Sequence, residues 1–346
     1  MALRRSHWGL FAGCVAAIAL LAAGCGSSDE TAPAKTESTP TGIKVGLVAD
    51  LGQLNDNGFN ELAYNGLKRA EKELGIQGRV IEAKSAADYI PNMTALARKG
   101  YDLIIGVGYA QGDAIASTAK EFPNTKFAIV DVDQTTLKGK PTNVQGLLFR
   151  EEQVGYLVGY LAALQVKRAG GNLVSAVAGF KEPPVDRFIA GYKAGATAAV
   201  PGMKVKWGYS QDWDDQAKCK ELALNQIAAG SKAVFQVAGG CGLGALLAAR
   251  QQKVWGIGVD ADQSFLGSHV LTSGLKGVDT AVFLTAQAVQ DGSFTGGGNA
   301  VFGLTEDGVG LGKVSSDANS DDVAATKKIE QQIADGTITG IPTTIG

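Results

Sequence analysis

The sequence predicts an α/β protein of two lobes, each a parallel sheet flanked by helices. Short, continuous apolar runs of strand length recur along the chain, and stretches of helical period alternate with them. Continuous rather than alternating apolar character marks strands covered on both faces, which is the habit of parallel sheets. The strands outnumber what one sheet comfortably holds, which divides the body into two lobes. Of the 346 residues, roughly 300 follow the N-terminal segment, enough for two domains with proper cores.

That N-terminal segment reads as a targeting signal. Arg4, Arg5 and His7 precede an apolar stretch from Trp8 to Ala23, and Leu21-Ala22-Ala23-Gly24-Cys25 closes it with small residues before a cysteine. The pattern resembles a bacterial lipoprotein signal, in which Cys25 is lipidated and becomes the mature N-terminus. A membrane-spanning anchor competes, but about 16 apolar residues fall short of the roughly 20 that a span requires. Residues 1–24 are therefore assigned to the signal and 25–41, GSSDETAPAKTESTPT after the cysteine, to a flexible tether too polar to bury a core. This places the protein on the cell membrane, lipid-anchored on the extracytoplasmic side.

The body opens with the stretch around which the remainder is arranged, Ile43 to Asn60. Val45–Ala49 has the length and β-branched content of a buried strand. Asp50 and Gly52 end it, a polar loop follows with Asn55, Asp56, Asn57 and Gly58, and Phe59 and Asn60 lead into a helix marked by Ala63, Leu67, Ala70 and Leu74. In an open α/β sheet the loop at a strand's carboxyl end is where ligands bind. Further strands are expected at 80–83, 103–107, 127–131, 173–178, 205–209, 233–237 and 255–260. Helices are expected at 114–121, 152–164, 186–199, 215–229, 243–250 and 275–291. The first lobe takes residues 42–150 with about 261–291, and the second 151–260 with about 292–346.

Composition narrows the function classes. A net charge of −2 without a basic run argues against a nucleic-acid partner, and 47 glycines without a period argue against collagen-like or repeat architectures. Cys219 and Cys241 remain after the signal, an even pair for an oxidising compartment. Cys219 lies early in one helix and Cys241 just past the next strand, so both sit at one sheet edge. A disulfide is expected, with two buried free thiols as the alternative. Two cysteines and His269, the latter expected inside a strand, do not make a metal site.

The motif Gly240-x-Gly242-x-x-Ala245, after one strand and followed by Asp260 at the end of the next, has the look of a dinucleotide fingerprint. An export signal and the want of an acid–base pair speak against it. A glycine-rich turn also serves to let a ligand or the facing lobe approach closely. No nucleophile elbow, phosphate-binding loop or metalloprotease helix is found, so neither an enzyme nor a cofactor is expected.

The string Asp50-x-Gly52-x-x-x-Asp56-x-x-Phe59-Asn60 resembles the opening motif of the basic membrane protein (BMP) family, substrate-binding lipoproteins of ABC transporters that include purine-nucleoside receptors. The resemblance continues through Asp102–Gly108, Asn143-Val144, Gly155-Tyr-Leu-Val-Gly159 and Phe188-x-x-Gly191-x-x-x-Gly195. It goes on through Ala238-Gly239-Gly240-x-Gly242, Gly258-Val-Asp260-x-Asp262-Gln263 and Thr272-Ser273-x-x-Lys276. Gly58 departs from it, standing where serine is usual. The resemblance implies the two-lobed periplasmic-binding-protein type I fold, three hinge crossings and a ligand clamped between lobes.

It further implies a nucleoside as ligand, an ABC permease as partner and a monomer. Phe59 would stack on the base, Asp131 would meet the base edge, and Asp260 with Lys276 would hold the ribose hydroxyls. Asp56, Asn60, Tyr109, Trp213 and Gly239 complete the ligand-binding set. The chemistry suits these roles: stacking contributes about 1–3 kcal/mol per base, and a carboxylate accepts from vicinal hydroxyls while a lysine donates. Each residue has a plainer reading as well. Phe59 can staple its helix, Asp131 and Asp260 can end strands, Lys276 can be an ordinary surface lysine, and Trp213 and Tyr109 surface aromatics. A sugar or other small polar solute is the competing ligand, and a sensor acting on a signalling partner the competing role. If Cys25 is the lipid attachment point, Cys25→Ser releases the protein from the membrane fraction; unchanged partition in fractionated cells would contradict it.

Overall fold

The computed structural model describes residues 42–345. The signal, the tether and Cys25 lie outside them. The chain begins β1 (Lys44–Ala49), α1 (Phe59–Leu74), β2 (Gln77–Glu82), α2 (Tyr89–Arg98), β3 (Leu103–Gly106), α3 (Gly112–Glu121), β4 (Lys126–Val130) and β5 (Val144–Phe149). It continues through α4 (Glu151–Arg168), β6 (Leu173–Ala178), α5 (Pro183–Ala199), β7 (Lys204–Tyr209), α6 (Gln216–Ala228), β8 (Ala233–Val237), α7 (Gly242–Gln251) and β9 (Trp255–Asp260). The last part runs β10 (Val270–Lys276), α8 (Val278–Gln290), β11 (Gly298–Phe302), β12 (Val309–Leu311) and α9 (Ser320–Ala334).

Among the described residues the strands form two six-stranded sheets, ordered β11-β5-β4-β3-β1-β2 and β12-β10-β9-β8-β6-β7. The first is parallel throughout; in the second only β12 runs antiparallel, against β10. Both orders reverse direction at one point, between β1 and β3 in the first lobe and between β6 and β8 in the second. At such a point consecutive crossovers leave on opposite faces of the sheet, so the loops after the two central strands part and open a crevice. The chain passes from the first lobe to the second after β5, back after β10, and across again between β11 and β12.

These crossings revise two expectations. Residues 270–276 belong to the second sheet and 298–302 to the first, so the segments assigned to the two lobes after residue 260 are partly exchanged. The helix expected from Leu275 begins at Val278, because Leu275 and Lys276 complete β10, which pairs with β9 on one side and β12 on the other. Gly277 is the break between them. His269 stands in the turn before β10, not inside it.

The glycines at four-residue spacing have a packing role. Added Cβ atoms on Gly155 and Gly159 of α4 would come within 2.3 and 2.1 Å of Phe188 and Tyr192 carbonyl oxygens on α5. On Gly191 and Gly195 of α5 they would come within 2.2 and 1.9 Å of Glu152 and Tyr156 carbonyl oxygens on α4. The two helices touch backbone to backbone, a distance no side chain fits. Cys219 and Cys241 are joined as a disulfide with Cα atoms 5.6 Å apart, at the sheet edge where α6 starts and β8 has just ended. Closing a separation of 22 residues contributes on the order of 3 kcal/mol by restricting the unfolded chain.

Candidate functional site

The loops after β1, β3 and β4 in the first lobe face those after β6, β8 and β9 in the second, and a cavity of about 630 Å³, part of it open to solvent, lies between them. All nine residues expected to bind ligand line it: Asp56, Phe59, Asn60, Tyr109, Asp131, Trp213, Gly239, Asp260 and Lys276. Their surroundings divide them into different kinds.

Asp56 and Asn60 are held by the protein itself. Asp56 accepts the amides of Gly58, Asn60 and Glu61 at 2.9, 2.9 and 3.2 Å, capping a helix whose own N-cap is a glycine without a side chain. Asn60 accepts the amide of Asp50 at 3.0 Å. These two fix the loop, and Phe59 is thereby presented to the cavity at the first position of α1. Trp213 comes from the other lobe, half-buried, with its ring 5.4 Å from Phe180 and lying so close over Gly179 that a Cβ there would meet it at 2.1 Å. Gly239 sits at φ 53°, below the Trp213 carbonyl. Tyr109, 40% exposed, stands at the rim.

Lys276 is the centre. It is 3% exposed, and its Nζ lies 2.7 and 2.8 Å from the two oxygens of Asp131 and 2.9 Å from Glu151. Rings of Phe149, Phe59 and Phe188 surround it at 5.0, 5.2 and 5.8 Å from their centres. Lys276 therefore pairs with Asp131 and Glu151, whereas its ribose partner was expected to be Asp260. Asp260 lies near enough to act on it electrostatically. Burial pulls the lysine down, but Asp131, Glu151 and Asp260 together hold it above its ordinary value, so it stays charged. One lysine cannot balance three carboxylates. Burial pushes Glu151 up, and Lys276 only partly offsets this against the repulsion of Asp131. Asp260 is pushed up to about 7, chiefly by burial.

Asp131 directly follows β4 and Asp260 ends β9, and both have left-handed backbone, φ 72° and 62°. For a residue with a Cβ such a conformation costs on the order of 1–3 kcal/mol, and it clusters at functional sites. It occurs here at equivalent places in the two lobes, turning each carboxylate off its strand end toward the cleft.

Three carboxylates at the site lay outside the expected set. Asp50 takes the Tyr89 hydroxyl at 2.5 Å and the Leu51 amide at 2.8 Å on one oxygen, and burial pushes it up to about 6. Glu151 begins α4 at the first crossing and is fully buried. Glu182 is the N-cap of α5, and burial, with Asp50 and Asp131 nearby, pushes it up to about 7. Asp50 was legible as the end of the first strand; nothing local distinguishes Glu151 or Glu182 from acids that decorate a helix start. Besides Lys276–Asp131, Gln263 donates to the Asn57 carbonyl at 3.0 Å and Gln53 to Asp214 at 3.3 Å across the lobes.

The raised carboxyls fix a pH dependence. A group raised on folding contributes stability that is complete below its unfolded value, here 3.8 to 4.5, and lost as pH climbs through its folded one. Groups held low, such as Asp212 at about 2, act in the opposite sense and only in more acid solution. The unfolding free energy of the ligand-free protein is expected to fall as pH rises from 5 toward 7. Asp260→Asn, which stays neutral, should make that fall shallower in denaturant titrations; an unaltered slope would contradict the burial of its charge.

Comparison with known proteins agrees with this arrangement. The model of the family described as "ABC transporter substrate-binding protein PnrA-like", Bmp, matches residues 43–341. The ABC transporter nucleoside-binding protein BmpA of Lactococcus lactis is 33% identical over 347 residues, covering 94% of this chain and 95% of that one. A lipoprotein of Pyrococcus horikoshii is 34% identical over 306 residues, 85% and 74% of the two chains. An ABC transporter solute-binding protein from Aeropyrum pernix has a similar structure, with a TM-score of 0.79 at 28% identity over 87% of this chain and 94% of that one.

Proposed function

The chain belongs to the Bmp family of ABC transporter substrate-binding proteins, and we propose that it captures an uncharged nucleoside, a purine nucleoside in particular, between its lobes and delivers it to an ABC permease. Lipidation of Cys25 would hold it, as a monomer, at the outer face of the cell membrane. The family is one of binding proteins, and the site is read here as binding without turnover.

One observation carries the ligand reading: the buried cation Lys276 stands 5.2 Å from the ring centre of Phe59 and is more than balanced by the carboxylates around it. A flat aromatic face suits a base. A lysine donor among carboxylate acceptors suits vicinal hydroxyls, and the pairing of Lys276 with Asp131 supports reading Asp131, first expected at the base edge, as a ribose partner as well. Excess negative charge disfavours a phosphate, which needs several positive donors. An amino acid would require its own cation for the carboxylate, and Lys276 is already engaged twice. A free sugar satisfies the hydroxyl partners but leaves the aromatic wall with less to do.

Calorimetry is expected to show nucleosides binding well ahead of their monophosphates and of ribose. Asp260→Ala should cost about 2–5 kcal/mol, since it leaves buried groups without their partner. Phe59→Ala should weaken the nucleoside and hardly affect ribose. Ribose binding as tightly as the nucleoside would contradict the stacking role of Phe59.

A further inference from the structure

Asp50 and Glu182, two carboxylates of the cavity that the nucleoside reading leaves unassigned, have acceptor oxygens without a donor from the protein among the described residues, as does Asp260, which that reading gives to the ribose. Asp50 is 8% exposed; its Oδ1 takes both of its hydrogen bonds, while Oδ2, which lies over Gly108 at 2.0 Å from where a Cβ would stand, takes none. Glu182 lines the same cavity from the other lobe, and its side chain has neither hydrogen bond nor ion pair among the described residues and does not cap its helix. Asp131 is excused from this count, because Lys276 holds both its oxygens.

Glu182 is also held stiffly. It is extended, φ −130° and ψ 154°, and is followed by two prolines at the first positions of α5. A residue before proline is confined to extended backbone and proline fixes the first helical turn, so this acid is presented by a segment with little freedom. Asp50 is fixed from its side by Tyr89 and Asn60. A ligand between them meets two acceptors, from opposite lobes.

We infer that Glu182 is a specificity-determining residue that accepts the exocyclic amino group of the base, with Asp50 taking the neighbouring ring N–H, so that the site prefers a guanine-type edge. This rests on the nucleoside reading above. A guanine edge offers a ring N–H and an amino group side by side, the donors that two unpartnered carboxylates lack. Hypoxanthine offers the ring N–H alone. Xanthine puts a carbonyl where guanine has its amino group, and that oxygen faces Glu182 acceptor to acceptor. Burial raises both Asp50 and Glu182, with repulsion from Asp131 acting on each and from Asp50 on Glu182, and this is the penalty that such donors relieve.

Calorimetry on the full mature chain with guanosine, inosine and xanthosine tests this, because guanosine and inosine differ only by the amino group on one ring carbon, while xanthosine carries a carbonyl there and a proton on the adjoining ring nitrogen. The wild type is expected to bind guanosine about tenfold or more tighter than inosine, since an acceptor left without its donor carries a penalty of that order, and xanthosine most weakly. Glu182→Ala should bring guanosine and inosine to within about threefold of each other, leave inosine within about threefold of wild type, and strengthen xanthosine. Retained inosine binding shows that the variant is folded. A wild type without preference, or a preference and a xanthosine penalty that survive in Glu182→Ala, overturns the assignment while nucleoside binding stands. If no nucleoside binds either protein, the nucleoside reading fails, and this inference with it.

Discussion

A lysine ammonium buried between two lobes is the constraint on which the site depends. Taking such an ion out of water costs several kcal/mol even after relaxation, and only close, well-placed counter-charges offset it. Lys276 meets this with Asp131 from the first lobe and Glu151 from the crossing between lobes, at 2.7 to 2.9 Å, and with three aromatic faces about 5 to 6 Å away. Because Lys276 itself ends β10 of the second sheet, its pair with Asp131 is an ion pair across the cleft. Gln263 and Gln53 add neutral contacts across the same gap. A closed cleft is thus tied to the satisfaction of one charge, and the acids gathered for that purpose exceed it. The surplus makes the cavity one for donors and uncharged solutes.

Parallel topology explains why these groups meet at all. In both sheets the order reverses after the first strand of the lobe, so the loops after β1 and β3, and after β6 and β8, open at the carboxyl ends of central strands. The two lobes present these ends to each other. Asp50, Asp131 and Phe59 come from one side, Glu182, Trp213 and Asp260 from the other, each a residue or a short loop beyond a strand end or a helix start. The left-handed backbone shared by Asp131 and Asp260 is the same device used once per lobe.

Much of this was legible in the sequence, for reasons that differ by residue. The strands at 173–178, 233–237 and 255–260 have the expected bounds because each is a largely apolar run that gives way to a glycine or an acid within two residues. Asp131 and Asp260 were legible because they stand at ends of such runs, and Phe59 because it opens a helix after the polar loop that follows one. Lys276 was assigned to a helix, since Leu275 and the apolar residues after it fit helical spacing; only its pairing with β9 and β12 reveals a strand. Glu151 and Glu182 were not legible, because an acid at a helix start is ordinary and its burial is decided by the facing lobe. The late strands β11 and β12 escaped for a related reason. Short and half-exposed, they carry little apolar pattern, and their sheet membership follows from hinge crossings that no local signal records.

The glycine-rich turn after β8 illustrates how a motif can mislead. Gly239 and Gly240 sit beneath Trp213, and Gly242 leaves room for the Gln236 side chain, where a Cβ would stand 1.8 Å from its oxygen. The close approach that glycine permits is made here by the protein's own groups. The most direct test of the account is a crystal structure of the mature chain grown with guanosine. It is expected to place the base against Phe59, the ribose hydroxyls within hydrogen-bond reach of Asp260 and Lys276, and the Lys276–Asp131 pair intact across the cleft. A nucleoside bound elsewhere, or bound in the cleft with Lys276 released to solvent, would contradict it.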